Sequence, residues 1–269
     1  MMIALNFIDL FAGAGGLSEG FIRAGYTPLA HIEKDKYACD TLKTRAAFHY
    51  LKETSQLDIF EDYLYEKQEK EDGSKLWDQV PKWVTDTVIQ AEIGESNIAE
   101  IFEKVEALIG DKKVDIIVGG PPCQAYSVIG RARMKDKVLS DPRNDLYKYY
   151  VEFLVKYQPK MFVFENVMGI RSAKNGEPLK DLTRLVENAG YKMELKVQTA
   201  SEHGVLQNRQ RVIIIGWKEK DENGKPTIEN VRSITIREAA RLQSFPDDYY
   251  FKGGRTSAFK QIGNNKLTA

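Results

Sequence analysis

The sequence predicts an α/β fold, a mostly parallel central sheet with helices on both faces. Two observations carry this. Apolar runs of strand length alternate with segments of helical spacing, and a glycine-rich turn joins the first run to the first helix. The strand-like runs are residues 5–10, 29–32, 114–118, 161–164 and 212–215. After the first comes Phe11-Ala12-Gly13-Ala14-Gly15-Gly16, and then Leu17, Phe21 and Ile22 mark one face of a helix that Gly25 ends. The second run closes on Glu33, and a helix is expected over 35–48. Residues 57–97 read as a charged insertion, because EKEDGSK interrupts the alternation and helical spacing resumes only near Ile98. Helices are also expected over 146–157, burying Phe153 and Leu154, and over 179–189, closed by Gly190. Residues 218–230 are polar, contain Gly224 and Pro226, and read as a linker.

With 269 residues, 42% of them hydrophobic, the chain can bury a substantial core as one large α/β domain or two small ones. Its 39 basic residues cancel 39 acidic ones, so net charge alone does not announce a wide phosphate-gripping face. No apolar run reaches membrane length and the N-terminus carries no charged leader, which predicts a soluble, intracellular chain. The two cysteines are too few for a disulfide framework, and with three scattered histidines they show no zinc-ligand spacing, so no metal is expected. A special cysteine here is chemical rather than structural.

A glycine turn between strand and helix lets backbone N–H groups approach a ligand, and an acidic residue ending the next strand can hold ribose hydroxyls. Gly13, Gly15, Gly16 and Glu33 have this arrangement, although Ser18 stands where a dinucleotide fingerprint has its third glycine. By itself the turn is equally well explained by tight chain reversal. The segment DIIVGGPPCQAYS, residues 115–127, places Cys123 just beyond the carboxyl end of a strand, where open α/β sheets bind substrates. Two prolines before it stiffen the loop and aim the side chain. Cys39, within a helical pattern beside Tyr37, Ala38 and Leu42, reads instead as a buried structural thiol.

Phe7 to Gly16 (FIDLFAGAGG), Pro121 to Gln124 (PPCQ), Glu165 to Val167 (ENV), Gln207 to Arg211 (QNRQR) and Thr235 to Asp247 (TIREAARLQSFPD) together resemble, in order, the motifs of the DNA cytosine-5 methyltransferases of bacterial modification type. The resemblance implies the Rossmann-like fold of S-adenosylmethionine-dependent methyltransferases, with S-adenosylhomocysteine as product. It also implies transfer of a methyl group to carbon 5 of a cytosine flipped out of duplex DNA. That carbon is too electron-poor to attack a methyl donor until a nucleophile adds at carbon 6, and a thiolate suits the addition. A free cysteine, with pKa of roughly 8.5, is little ionised at neutral pH, so nearby positive charge helps.

By the same resemblance Cys123 is the nucleophile, Glu165 contacts ring nitrogen 3 of the base, Arg211 contacts its carbonyl, Arg209 supports the pocket and Asn166 holds the loop. Phe11, Ala12, Gly13, Gly15, Gly16 and Leu17 wrap the methionine portion of the cofactor, Glu33 binds the ribose, and Pro121, Leu146 and Asn264 complete the pocket. Lys34 stands where relatives place an aromatic residue against adenine. Asn97-Ile98 is preferred over Asp58-Ile59 as the adenine-contacting pair. Gln124, Ser127, Arg131 and Arg133 are expected to face DNA, the last two within GRARMKDK, a basic run beside Cys123 suited to phosphates.

The sequence departs from the family in two places. About fifteen residues, 217–231, stand where a target recognition domain is expected between 217 and 232, whereas a domain usually needs roughly 50 or more. Residues 232–269 return to the catalytic domain, but the last motif, begun by Gln261-Ile-Gly-Asn264, lacks its continuation. The whole of 1–269 is read as one catalytic domain from which the recognition domain is missing. Three functions stay open: a monomeric cytoplasmic enzyme on the bacterial nucleoid, working with or without a cognate restriction endonuclease; the tRNA-methylating branch, whose Cys-Phe-Thr signature is absent; and a catalytically idle cofactor-binding or regulatory module.

Overall fold

The computed structural model describes residues 5–69, 74–122, 145–203 and 208–218. Seven strands form one sheet in the order β3-β2-β1-β4-β5-β7-β6. They are β1 (Asn6–Leu10), β2 (Thr27–Glu33), β3 (Val88–Gln90), β4 (Ile116–Gly119), β5 (Met161–Asn166), β6 (Tyr191–Thr199) and β7 (Gln210–Lys218). Pairings among β1 to β5 are parallel; β7 runs antiparallel to both β5 and β6. The expected mostly parallel sheet is therefore present, with an antiparallel end.

Strand alternation sends side chains to opposite faces, and helices cover both. On one face Ile8, Leu10, Ile117, Phe162 and Phe164 pack with α6 (Ile98–Ile109), α7 (Leu146–Tyr157) and α8 (Glu177–Asn188). On the other, Phe7, Ile116 and Val118 meet Leu17, Phe21 and Ile22 of α1 (Gly16–Arg23). Cys39 and Leu42 of α2 (Lys36–Glu53) pack against Val88, so Cys39 is the core thiol its helical context indicated. Asp35 starts α2 by accepting a hydrogen bond from the Ala38 amide at 2.8 Å.

Residues 57–97 are not an excursion from the fold. Helices α3 (Leu57–Glu69), α4 (Ser74–Gln79) and α5 (Lys82–Thr85) bury Tyr63, Leu76, Val80 and Val84 against Ala47 and Leu51 of α2, and β3 then edges the sheet. The charges described in this stretch, such as Asp58, Glu61, Asp62 and Asp78, are exposed, and they hid its apolar stripe. Strand β6 was also not anticipated. It lies at the other edge of the sheet, and its outward positions carry lysine and glutamate.

Candidate active site

Parallel strands β1, β2, β4 and β5 end at one edge, and the candidate site lies there. The glycine turn is held from two sides. The Ala12 amide donates to the Ile32 carbonyl at 3.1 Å and the Gly15 amide to the Ala12 carbonyl at 3.0 Å. Glu33 Oε2 accepts from the Gly13 amide at 2.8 Å, while Oε1 accepts from the amides of Lys34 at 2.9 Å and Asp35 at 2.8 Å. Phe11 adopts φ of 57°, a left-handed conformation that non-glycine residues rarely take, and this turns the chain at the strand end. Gly15, at φ of 85°, also packs so close to Leu42 that a Cβ would come within 2.7 Å of its side chain.

Beneath the turn Ser18, in α1, donates its hydroxyl to Asp9 Oδ2, tying α1 to β1. Asp9 is 1% exposed and its Oδ1 has no partner. Burial, reinforced by the charge of Glu33 and opposed by the Ser18 hydroxyl, pushes the Asp9 carboxyl up to about 7. Neither residue was singled out from the sequence. Ser18 was noted only as a missing glycine, yet its hydroxyl is what secures the turn.

A cavity of about 210 Å³ opens between the ends of β2, β3 and β4. Phe11, Ile32, Ala91, Ile93, Pro122 and Leu146 make it largely apolar, and Glu33 and Glu92 supply carboxylates. Lys34, also in the wall, holds Glu92 across the rim through an Nζ to Oε1 contact of 3.0 Å. An apolar slot with a pinned carboxylate at one end fits a nucleoside, whose base wants flat apolar walls and whose sugar offers hydroxyl donors.

Of the residues expected around the cofactor, Phe11, Glu33, Lys34 and Leu146 line this cavity, while Ala12, Gly13, Gly15 and Gly16 form the turn beside it. Leu17 instead turns into the core against Phe7. Pro121 is not in the wall; its neighbours Gly120 and Pro122 are. Asn97 and Ile98 are likewise outside it, because they open α6 beyond the end of β3. Ile98 packs on the core, and Asn97 Nδ2 donates to the Glu92 carbonyl at 3.2 Å. Glu92 and Ile93 take the place at the strand end, and the brevity of β3 concealed it.

Glu165 and Asn166 end β5, and antiparallel pairing with β7 brings Arg211 beside them. Arg211 Nε lies 2.6 Å from Glu165 Oε1, with both side chains partly shielded. A Cβ on Gly120 would come within 2.6 Å of Glu165 Oε2, so the carboxylate rests against a residue that has no side chain. Asn166, 4% exposed, donates from Nδ2 to the Pro121 carbonyl at 3.1 Å and accepts from the Val167 amide at 2.8 Å. It thus fastens the Gly120-Pro121-Pro122 loop to the end of β5. Arg209 is exposed just ahead of β7. Cys123, Gln124, Ser127, Arg131, Arg133 and Asn264 lie outside the described residues, as does the segment 232–269.

A larger cavity, about 290 Å³, lies between α1 and α2, away from the strand ends. Its wall includes Glu19, which accepts hydrogen bonds from Arg45 at 2.8 and 2.6 Å and contacts His49 at 2.9 Å. With Arg23 on its other side, these contacts hold the Glu19 carboxyl below the usual carboxylate range. This is a helix-to-helix tie, and the group-transfer residues lie elsewhere. Among the described residues no cluster of potential metal ligands is found, and no helix is long and apolar enough to cross a membrane.

A largely apolar slot walled by Glu33 and Glu92, and the Glu165–Arg211 pair, lie at the carboxyl edge of an α/β sheet with an antiparallel last hairpin, the edge at which open sheets of this kind bind ligands. The family model described as C-5 cytosine-specific DNA methylase matches residues 5–70, 82–230 and 218–265. The type II methyltransferase M.Bpa9945I of Bacillus paralicheniformis is 34% identical over 82% of this chain and 56% of its own length. The type II methyltransferase M1.HphI of Haemophilus parahaemolyticus is 30% identical over 97% of this chain and 83% of its own length. A crystal structure described as a DNA modification methyltransferase encoded within a prophage (E. coli) superposes with a TM-score of 0.52 at 26% identity, covering 88% of this chain and 54% of that one. The chain belongs to the C-5 cytosine-specific DNA methylase family. It spans 56% of the length of the first of these relatives.

Proposed function

We propose that this chain transfers a methyl group to carbon 5 of a cytosine in duplex DNA, at a short specific site, through a covalent adduct on Cys123. The observation that carries the reading is the Glu165–Arg211 pair, 2.6 Å apart, set against the Gly120-Pro121-Pro122 loop that leads directly into Cys123. S-adenosylmethionine, when bound, supplies a methyl group on a positively charged sulfur. The slot beside the glycine turn fits its nucleoside, with Glu33 oriented to accept from ribose hydroxyls and Ile93, Phe11 and Leu146 flanking the base.

In the proposed chemistry the Cys123 thiolate forms a bond to carbon 6 of the cytosine, and the electron pair displaced from the ring double bond makes carbon 5 nucleophilic. Glu165, in its protonated form, donates a hydrogen bond at ring nitrogen 3, dispersing the charge that develops there, and Arg211 donates at the base carbonyl. Carbon 5 takes the methyl group and then loses its proton to a base. The sulfur–carbon bond breaks and the thiolate returns. Asn166 acts one step back, by fixing the loop that carries the nucleophile.

The recognition domain is proposed to be missing from this sequence rather than from the protein's function. The alignment with the Haemophilus relative runs over 352 positions, longer than this chain's 269 residues, so that relative carries segments without a counterpart here. A cognate restriction endonuclease is the proposed companion.

The deciding experiment follows labelled methyl from S-adenosylmethionine into mixed-sequence duplex DNA and into tRNA, using the full-length protein beside Cys123→Ser. Label in DNA, lost in the variant, is expected. Label only in tRNA moves the assignment to the RNA branch, and cofactor binding without transfer to either makes the chain an idle module.

A further inference from the structure

Four of the six arginines among the described residues are paired with carboxylates. Arg23 and Arg45 pair with Glu19, Arg184 pairs with Asp181, and Arg211 pairs with Glu165. The two that have no carboxylate partner among the described residues, Arg171 and Arg209, are both exposed, and both stand beside the Glu165–Arg211 pair.

Their positions are fixed by backbone and core rather than by their own charges. Arg171 ends a 3-10 turn, Met168–Arg171, that begins two residues after Asn166 and packs against β7. The turn is anchored by Ile170, which is 2% exposed and part of the main core, and by the Ile170 amide donating to the Val167 carbonyl at 3.2 Å. Arg209 sits just before β7, where its carbonyl accepts from the Ala200 amide at 2.9 Å. Two exposed arginines with no carboxylate partner among the described residues thus sit on anchored backbone, one in the turn that follows β5 and the other just before β7.

We propose that Arg171 and Arg209 form a two-point phosphodiester clamp, gripping the nucleic-acid backbone that flanks the nucleotide presented to Glu165. A guanidinium offers a planar fork of donors that matches phosphate oxygens, and an unpaired one loses no protein partner on binding. The inference rests on the proposed methyl transfer to DNA but assigns Arg171 a role no sequence motif indicated. It gives Arg209 an outward contact in place of pocket support. Because backbone contacts carry no sequence information, the clamp serves any sequence alike and sets the register of the base.

The test is fluorescence anisotropy of a labelled mixed-sequence duplex, with S-adenosylhomocysteine present, from 50 to 200 mM NaCl. Each phosphate contact contributes about 0.9 to the slope of log affinity against log salt. Arg171→Ala is expected to reduce the slope by about one, the Arg171→Ala/Arg209→Ala pair by about two, and each single change to weaken binding by roughly 3- to 10-fold at the upper salt. Arg171→Lys retains the slope, which separates lost charge from lost fold, and Arg184→Ala, already paired with Asp181, leaves it unchanged. Slopes in Arg171→Ala and Arg209→Ala equal to that of Arg184→Ala, with wild-type binding intact, overturn the clamp alone. With the full-length protein used throughout, no salt-dependent binding by the wild type overturns the DNA reading and the clamp with it.

Discussion

Replacing Asp9 by Asn probes the support under the glycine turn. Asp9 is 1% exposed, and its carboxyl is raised from 3.8 to about 7, chiefly by burial. As pH rises from about 4 to about 7, the unfolded chain releases this proton while the folded chain keeps it. Stability therefore falls through that window and levels off above it. A shift of about three units, at about 1.4 kcal/mol per unit, sets an upper bound of about 4 kcal/mol. Residual burial in the unfolded chain lowers the figure, so about 2 kcal/mol is a reasonable expectation.

Asp9→Asn removes the titration and keeps an oxygen to accept from Ser18. About two-thirds of the window lies above pH 5, so relative to wild type it should gain about 1 kcal/mol between pH 5 and pH 8. Buried His31, held down to about 4 by desolvation, works in the opposite direction, since stability is lost as pH falls below about 6.5. That contribution is common to both proteins and cancels in the difference. Urea denaturation followed by tryptophan fluorescence at pH 5, 6, 7 and 8 measures it. A difference that stays constant across the four pH values would refute the argument that burial shifts Asp9.

Gly120→Ala places a Cβ within 2.6 Å of Glu165 Oε2, so the carboxylate must swing away from Arg211; methyl transfer should fall by roughly 10- to 100-fold while S-adenosylhomocysteine binding, by calorimetry, changes much less. Asn166→Ala leaves the Pro121 carbonyl and Val167 amide without their partner, at an expected cost of about 1–3 kcal/mol in urea denaturation and a fall in kcat larger than any change in cofactor affinity. Gly216→Ala drives a Cβ to 1.9 Å from the ring of Phe162, its partner in the β5–β7 pairing, and should lower stability by about 3 kcal/mol or more, seen as a lower thermal midpoint.

The parallel core of the sheet was legible because its strands are buried on both faces and read as continuous apolar runs, such as Ile116 to Val118. Edge strands escape that signal. β3 shows only Val88 and Ile89 before an exposed residue, and β6 alternates charge with half-buried positions. The Glu92–Ile93 end of the slot went unseen with β3, and Asn97-Ile98 was preferred for its place ahead of the central strand. Glu165, Arg211 and the glycine turn were found through ordered motifs. Asn166 was expected by the same resemblance to hold the loop, though not through which atom, and the Asp9–Ser18 contact was not found, because it joins two elements and nothing local in the sequence announces it.

The direction of β7 has a consequence for how such a protein is elaborated. The strand enters at the edge holding Glu165 and, eight residues later, Lys218 donates its amide to the Lys160 carbonyl at 3.0 Å, at the opposite edge of the sheet. At about 3.4 Å per residue the chain leaves the sheet roughly 27 Å from the reaction centre. Sequence added beyond Lys218 therefore begins on the far side and must travel back across the domain to read a bound duplex. New reading heads can be grafted or exchanged at that exit without passing through the Glu165–Arg211 pair, so the geometry separates the invention of specificity from the preservation of chemistry.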